Sequence, residues 1–134
     1  LYLFEKDKNK IKEALADKLE NCYYNYIDVD STDNITNSLN KCGKKFDIII
    51  DDSTHLFRHQ INIIQTTKEF LNSGGFLVIE DIFRLKENHS EKNYYSELSN
   101  IKNEFSEIFF IETKHANNFT ASWKCEKLLI LKKK

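Results

Sequence analysis

Short apolar runs alternate along this chain with stretches of helical periodicity. Leu1-Tyr2-Leu3-Phe4 is a β-type run that stops at Glu5. From Ile11 to Glu20 the apolar positions fall at 11, 14, 15 and 19, the spacing of an amphipathic helix. Tyr23 to Asp30 (YYNYIDVD) is aromatic and β-branched and predicts a strand, and Asn34 to Asn40 predicts a short helix. Phe46 to Ile50 is a strand with almost no polar alternation, the pattern expected when both faces are covered by helices. Leu56 to Asn72 reads as a helix with Leu56, Ile63, Ile64 and Phe70 facing inward, broken at Asn72-Ser73-Gly74-Gly75. Phe76 to Glu80 is a second apolar strand, Leu85 to His89 a polar loop, and Tyr94 to Phe105 a helix. Phe109 to Thr113 and Lys127 to Leu131 close the chain as strands, separated by Asn117-Asn118 and their neighbours.

Strand and helix in alternation predict an α/β class with a largely parallel sheet. The last two strands have no helix between them and are expected to form an antiparallel hairpin at one edge. No internal repeat or linker divides the 134 residues, which read as one domain or part of one.

Composition narrows the function classes. A formal net charge of −1 gives no basic excess to neutralise phosphates, so nucleic acid is not an expected partner; Lys132, Lys133 and Lys134 form the one basic cluster and read as a solvated tail. No apolar run approaches the roughly 18 residues of a membrane span, and no signal peptide is visible. Cys22, Cys42 and Cys125 are odd in number, widely spaced and without a CxxC pair, which fits reduced thiols in a cytoplasmic setting. Methionine is absent, the initiator included, and the chain reads as a piece of a longer product.

The candidate chemistry is acidic. Four predicted strands end in acid, at Glu5, Asp30, Asp51-Asp52 and Glu80-Asp81. Ligands of open α/β sheets bind beyond the carboxyl ends of the strands, so all four point at one rim. An acid after the first βα unit suits the two hydroxyls of a ribose, and one after the next strand can accept from an exocyclic amine such as that of adenine. The plain alternative is that these acids cap the helices that follow. Two hard carboxylates from neighbouring strand ends also suit Mg²⁺, with a histidine beside them to take a proton. His55 and His59 stand four apart, a spacing that can ligate zinc, but no third soft ligand is evident. His89 and His115 fall in loop-like stretches and read as ordinary polar residues.

The segments LYLFEKDKNKIKEA, YIDVDSTD, KFDIIIDDSTHLFRHQ and LNSGGFLVIEDI resemble successive motifs of class I S-adenosylmethionine-dependent methyltransferases. By pattern the chain is most similar to the metal-dependent sugar O-methyltransferases of the macrocin and mycinamicin type, with cephalosporin-hydroxylase-like proteins nearby. Those carry D-D-G-S-H after one strand and G-G-x-x-V-x-E-D around the next. The resemblance covers nearly the whole chain. It implies a Rossmann-like, doubly wound, mostly parallel sheet with a C-terminal antiparallel hairpin.

The resemblance also assigns roles. Glu5 would bind the ribose of the cofactor S-adenosylmethionine, and Asp30, Ser31 and Asp51 would belong to the cofactor site, Asp30 near the adenine. Asp52 and Asp81 match aspartates that hold a divalent cation, usually Mg²⁺, with Glu80 replacing or supplementing Asp81. His55 matches a histidine proposed as general base. The acceptor would be a sugar or another small hydroxylated molecule.

Two departures stand out. Ser53 and Thr54 replace the family's Gly-Ser, restricting the turn before His55. The family's first strand and glycine-rich turn have no counterpart, since Gly43, Gly74 and Gly75 form no GxGxx. That strand normally lies between the strands Leu1–Phe4 and Phe46–Ile50, so the sheet is expected either to carry a gap or to close up, and the chain as given to bind cofactor poorly. The rival expectations are a non-catalytic Rossmann-like module acting through a partner surface, and an NAD-dependent enzyme using the same crevice. The loop Phe83 to Asn93, with Arg84, Lys86 and His89, is the segment most suited to face an acceptor, and the sheet edge at the closing hairpin is a natural place for homo-oligomer formation.

Overall fold

A computed structural model describes residues 1–17, 19–112 and 127–134. The chain enters as β1 (Tyr2–Glu5), and Asp7 starts α1 (Lys8–Ala16) by accepting from the Asn9 amide at 2.8 Å. β2 (Tyr23–Tyr26) pairs with β1 in parallel and ends four residues short of Asp30, whose segment turns instead. Ser31 caps α2 (Thr32–Asn40). The Rossmann-like unit continues with β3 (Phe46–Asp51), α3 (Phe57–Thr67), β4 (Leu71–Ile79), α4 (Glu91–Glu97), β5 (Phe105–Glu112) and β6 (Lys127–Lys133). Thr113, His115, Asn117, Asn118 and Cys125 lie outside the described residues.

Pairing is parallel where a helix joins the strands, in β1–β2 and β3–β4, and antiparallel where β6 returns between β4 and β5. The expected closing hairpin is therefore present, with β6 on the inside. Among the described strands the sheet is split: β1 and β2 form one pair, and the order β3-β4-β6-β5 forms a second sheet. Of the two expected outcomes the gap is the one found. Tyr2 reaches across it to pack edge-on against Phe46, ring centroids 5.5 Å apart.

The core lies on one face. Ile35 and Leu39 of α2, Ile61 and Ile64 of α3 and Tyr94 of α4 bury against Leu77, Ile79, Leu129 and Leu131. Each such aliphatic side chain removed from water contributes about 1.5–3 kcal/mol. The opposite face differs from expectation. Ile48 is 60% and Ile50 59% exposed, and their cross-strand neighbours Phe76 and Val78 continue the same apolar row. Ile48 and Ile50 stay exposed because α2, α3 and α4 all join the core on the other side. Leu56 also departs from its predicted inward position. It is 52% exposed, because it precedes α3 in extended conformation as the N-cap.

Gly74 and Gly75 do not simply break a helix. α3 ends at Thr67, a short 3₁₀ turn follows, and β4 already begins at Leu71, running through the glycines with a register shift against β3. Gly74 takes φ +78, and a Cβ on Gly75 would stand 2.9 Å from the carbonyl oxygens of both Asn72 and Asp47. Close backbone approach thus requires the glycine. The predicted helix from Tyr94 stops at Glu97, and β5 starts at Phe105, before the predicted Phe109. No helix among the described residues is long and apolar enough to cross a membrane.

Candidate functional site

The carboxyl ends of β3 and β4 are fastened by backbone hydrogen bonds. The Glu80 amide donates to the Asp51 carbonyl at 2.9 Å, and the Ile82 amide to the Lys127 carbonyl at 3.0 Å. Gln60, buried on α3, donates from Nε2 to the Glu80 carbonyl at 3.1 Å and accepts the Tyr94 hydroxyl. The Tyr94 hydroxyl pKa is raised well above the ordinary value by burial and the Asp51 charge. Acidic residues therefore leave a rigid frame at this point.

Three predicted residues meet here. One ligand atom each from Asp52, His55 and Asp81 lie within 4.8 Å of one another, and His55 Nε2 is 3.6 Å from Asp81 Oδ2. His55 and Asp81 adopt left-handed backbone conformations, φ +55 and +53; Asn21 is the third such non-glycine residue described. Non-glycine residues pay roughly 1–3 kcal/mol for such geometry, and it concentrates at functional sites. His55 Nδ1 is buried without a partner. Two carboxylates from neighbouring strand ends are the hard oxygen donors that a divalent cation such as Mg²⁺ takes, and the His55 imidazole stands beside them.

Asp51 and Glu80 adjoin this cluster without belonging to it. Asp51 points into the core, and burial raises its carboxyl pKa against the opposing effect of hydrogen bonds from Ser53. Burial likewise raises the Glu80 carboxyl, followed by the negative charges of Asp52, Asp81 and Asp51. Such mutual repulsion is the electrostatic situation that a bound cation relieves.

The predicted cofactor residues are spread along the rim. Glu5, ending β1, accepts from the Asp7 amide at 2.8 Å through Oε1, while Oε2 lies 4.0 Å from Lys10 Nζ. Ser31 accepts from the Asn34 amide at 3.3 Å as a helix cap. Asp30 Oδ1 meets Arg58 at 3.3 Å and His59 Nε2 at 3.2 Å. α3 starts only at Phe57, so His55 and His59 do not share a helix face, and their rings go to different partners.

Several contacts went unforeseen. His59 Nδ1 also meets the Thr54 hydroxyl at 2.7 Å, giving a link from Asp30 to the β3–α3 loop. His89, expected in a polar loop, is 3% exposed among Phe57, Phe83 and Tyr94. Arg84 pairs with Glu112 at 2.9 Å. The only sequence signal for His89 was the aromatic residues around it, whose convergence is non-local.

No protein-family profile matches the sequence, and no curated protein does. Solved structures do match. The MycE methyltransferase of the mycinamycin biosynthetic pathway, in complex with Mg, SAH and mycinamycin VI, aligns at a TM-score of 0.64 and 14% identity, over 98% of this chain and 36% of that one. The CurJ carbon methyltransferase aligns at 0.61 and 10% identity, over 98% of this chain and 41% of that one. An rRNA methylase from Streptococcus thermophilus aligns at 0.58 and 15% identity, over 98% and 72%. The chain spans less than half the length of the first two. At such identities the likeness is one of fold: the chain has the class I fold shared by these methyltransferases.

Proposed function

We propose that the chain is the C-terminal part of an S-adenosylmethionine-dependent methyltransferase domain, acting by metal-assisted O-methylation of a sugar or another small hydroxylated acceptor. The observation that carries this reading is the convergence of Asp52, His55 and Asp81 at the carboxyl ends of adjacent parallel strands. The fold, and the Mg and SAH bound by MycE, support it.

In this reading Glu5 turns its second carboxylate oxygen to the cofactor ribose, and Asp30 and Ser31 line the rest of the cofactor site, whereas Asp51, expected there from the sequence, is buried against the core beneath it. Asp52 and Asp81 hold Mg²⁺, with Glu80 beside them. The bound cation would supply positive charge that lowers the pKa of an acceptor hydroxyl. His55 takes that proton, the acceptor oxygen bonds to the methyl carbon, and the carbon–sulfur bond breaks to leave a neutral thioether. Holding the two reactants in line is the main contribution of the protein. A second reading, a Rossmann-like module acting through a partner surface, is favoured by the exposed row of Ile48, Ile50 and Phe76.

Calorimetric titration with S-adenosylmethionine, with and without Mg²⁺, tests both on the intact gene product and on Asp52→Ala. Micromolar cofactor binding with Mg²⁺ binding lost in Asp52→Ala is the expected result. Cofactor binding indifferent to the metal removes the metal from the reading. Absence of both leaves the partner-binding module.

A further inference from the structure

We infer that His59 is a positioning residue that anchors the metal-binding loop to the end of the neighbouring βα unit. This rests on the reading of Asp52 and His55 as metal-site residues. Residues 52–56 between β3 and α3 belong to no regular element, and the loop includes a histidine in a left-handed conformation. Asp52, Ser53 and Thr54 are exposed, so burial does little to hold this loop. A strained, exposed loop keeps one geometry only if its surroundings over-determine it.

His59 supplies that constraint. Its ring stands on the first turn of α3 and spends both nitrogens. Nδ1 meets Thr54 Oγ1 at 2.7 Å, and Nε2 meets Asp30 Oδ1 at 3.2 Å. With Nε2–H donating to the Asp30 carboxylate, Nδ1 is left to accept the Thr54 hydroxyl proton, so both bonds are satisfied by one neutral tautomer. Arg58 holds the same Asp30 oxygen at 3.3 Å, and the Asp28 amide, two residues earlier, donates to Asn34 Oδ1 at 2.7 Å. The Asn62 side chain adds a 3.3 Å bond to the Val29 carbonyl. The Asp28–Asp30 turn is thus itself fixed to α2 and α3, and through His59 it fixes Thr54. Thr54 lies between Asp52 and His55 in sequence, so its tether restrains both site residues at once. Substrate contact by His59 plays no part in this role.

Amide hydrogen exchange by NMR in the intact gene product tests the tether without any ligand. Thr54→Val removes the hydroxyl at nearly constant shape, whereas Thr54→Ser keeps it. His59→Gln removes the Thr54 contact while retaining a donor toward Asp30. Losing one net hydrogen bond is expected to speed exchange of the one loop amide with a described partner, that of Ser53 on the Asp51 carboxylate, about 2- to 12-fold in Thr54→Val and in His59→Gln. Thr54→Ser should exchange like the parent, and the double variant no faster than either single one, since both cut one link. Exchange within β4 should stay the same throughout. Unchanged loop exchange in Thr54→Val, failure of Thr54→Ser to restore it, or additive effects in the double variant would each overturn the inference. A parallel Mn²⁺ titration, read by water-proton relaxation, should show weaker binding in Thr54→Val and parent-like binding in Thr54→Ser. If the parent binds no Mn²⁺ the metal reading fails by itself, and the loop exchange still decides the tether.

Discussion

Replacing His89 by phenylalanine should make the chain's stability less sensitive to acid. His89 is enclosed by the rings of Phe57, Phe83 and Tyr94, and its Nδ1 accepts from the Phe83 amide at 3.1 Å. Burial, with the positive charges of Lys86 and His55 behind it, pushes its pKa from 6.5 down to about 4. Because the folded value lies below the unfolded one, the unfolded chain takes up the proton first as pH falls. Stability is then full above pH about 7 and declines through the window from 6.5 to about 4. Linkage gives a loss of about 1 kcal/mol by pH 5.5 and about 3 kcal/mol by pH 4. His89→Phe removes this proton site but strands the buried Phe83 N–H, at a cost of about 1–3 kcal/mol independent of pH. Urea unfolding followed by circular dichroism should therefore find the variant less stable at pH 7.5 and level with, or above, the parent at pH 4. Contributions from carboxyl groups such as Asp51 cancel in this difference. A gap between the two proteins that stays constant across the window, or widens in acid, would refute the assignment of His89 as a buried neutral base.

Other substitutions probe the frame around the site. Gly75→Ala forces a Cβ against the Asn72 and Asp47 carbonyl oxygens, and should lower stability by about 1–3 kcal/mol in urea unfolding; an unchanged midpoint would mean that β4 shifts freely past β3. Tyr94→Phe leaves buried Gln60 Oε1 without its donor, and should cost about 1–2 kcal/mol while leaving the fold, read by circular dichroism, unaltered.

Much of the architecture was legible because it is written locally. Apolar spacing located α1, and the unbroken runs Phe46–Ile50 and Phe76–Glu80 located the strands that carry the acids. Element ends were less legible, since they depend on caps and bulges. Asp7 starts α1 before its first apolar residue, and a register shift lets β4 begin upstream of the glycine pair. The strand-end rule put Asp52 and Asp81 on one rim, and the structure sets one ligand atom of each within 4.8 Å of His55. That rule did not find the His59 link, because His59 and Asp30 are 29 residues apart and meet only through the packing of α3 beside α2. Sidedness was equally hidden. Ile48, Ile49 and Ile50 look alike in sequence, but only Ile49 packs against the core.

The site divides into a part held by backbone and a part held by side chains. Glu80 and Asp81 follow a strand that is hydrogen-bonded on both sides, to β3 and to β6, and their positions follow from sheet register. Asp52 and His55 have no such support beyond Asp51, where the last β3 pairing is made. A site assembled from both parts can be no better defined than its looser half. Under the proposed metal reading, cation affinity then turns on the loop between β3 and α3, and the polar tether serves a segment whose residues 52–54 are exposed. Substitutions that weaken the sheet should then lower stability first, whereas those that free the loop should lower cation affinity at nearly constant stability.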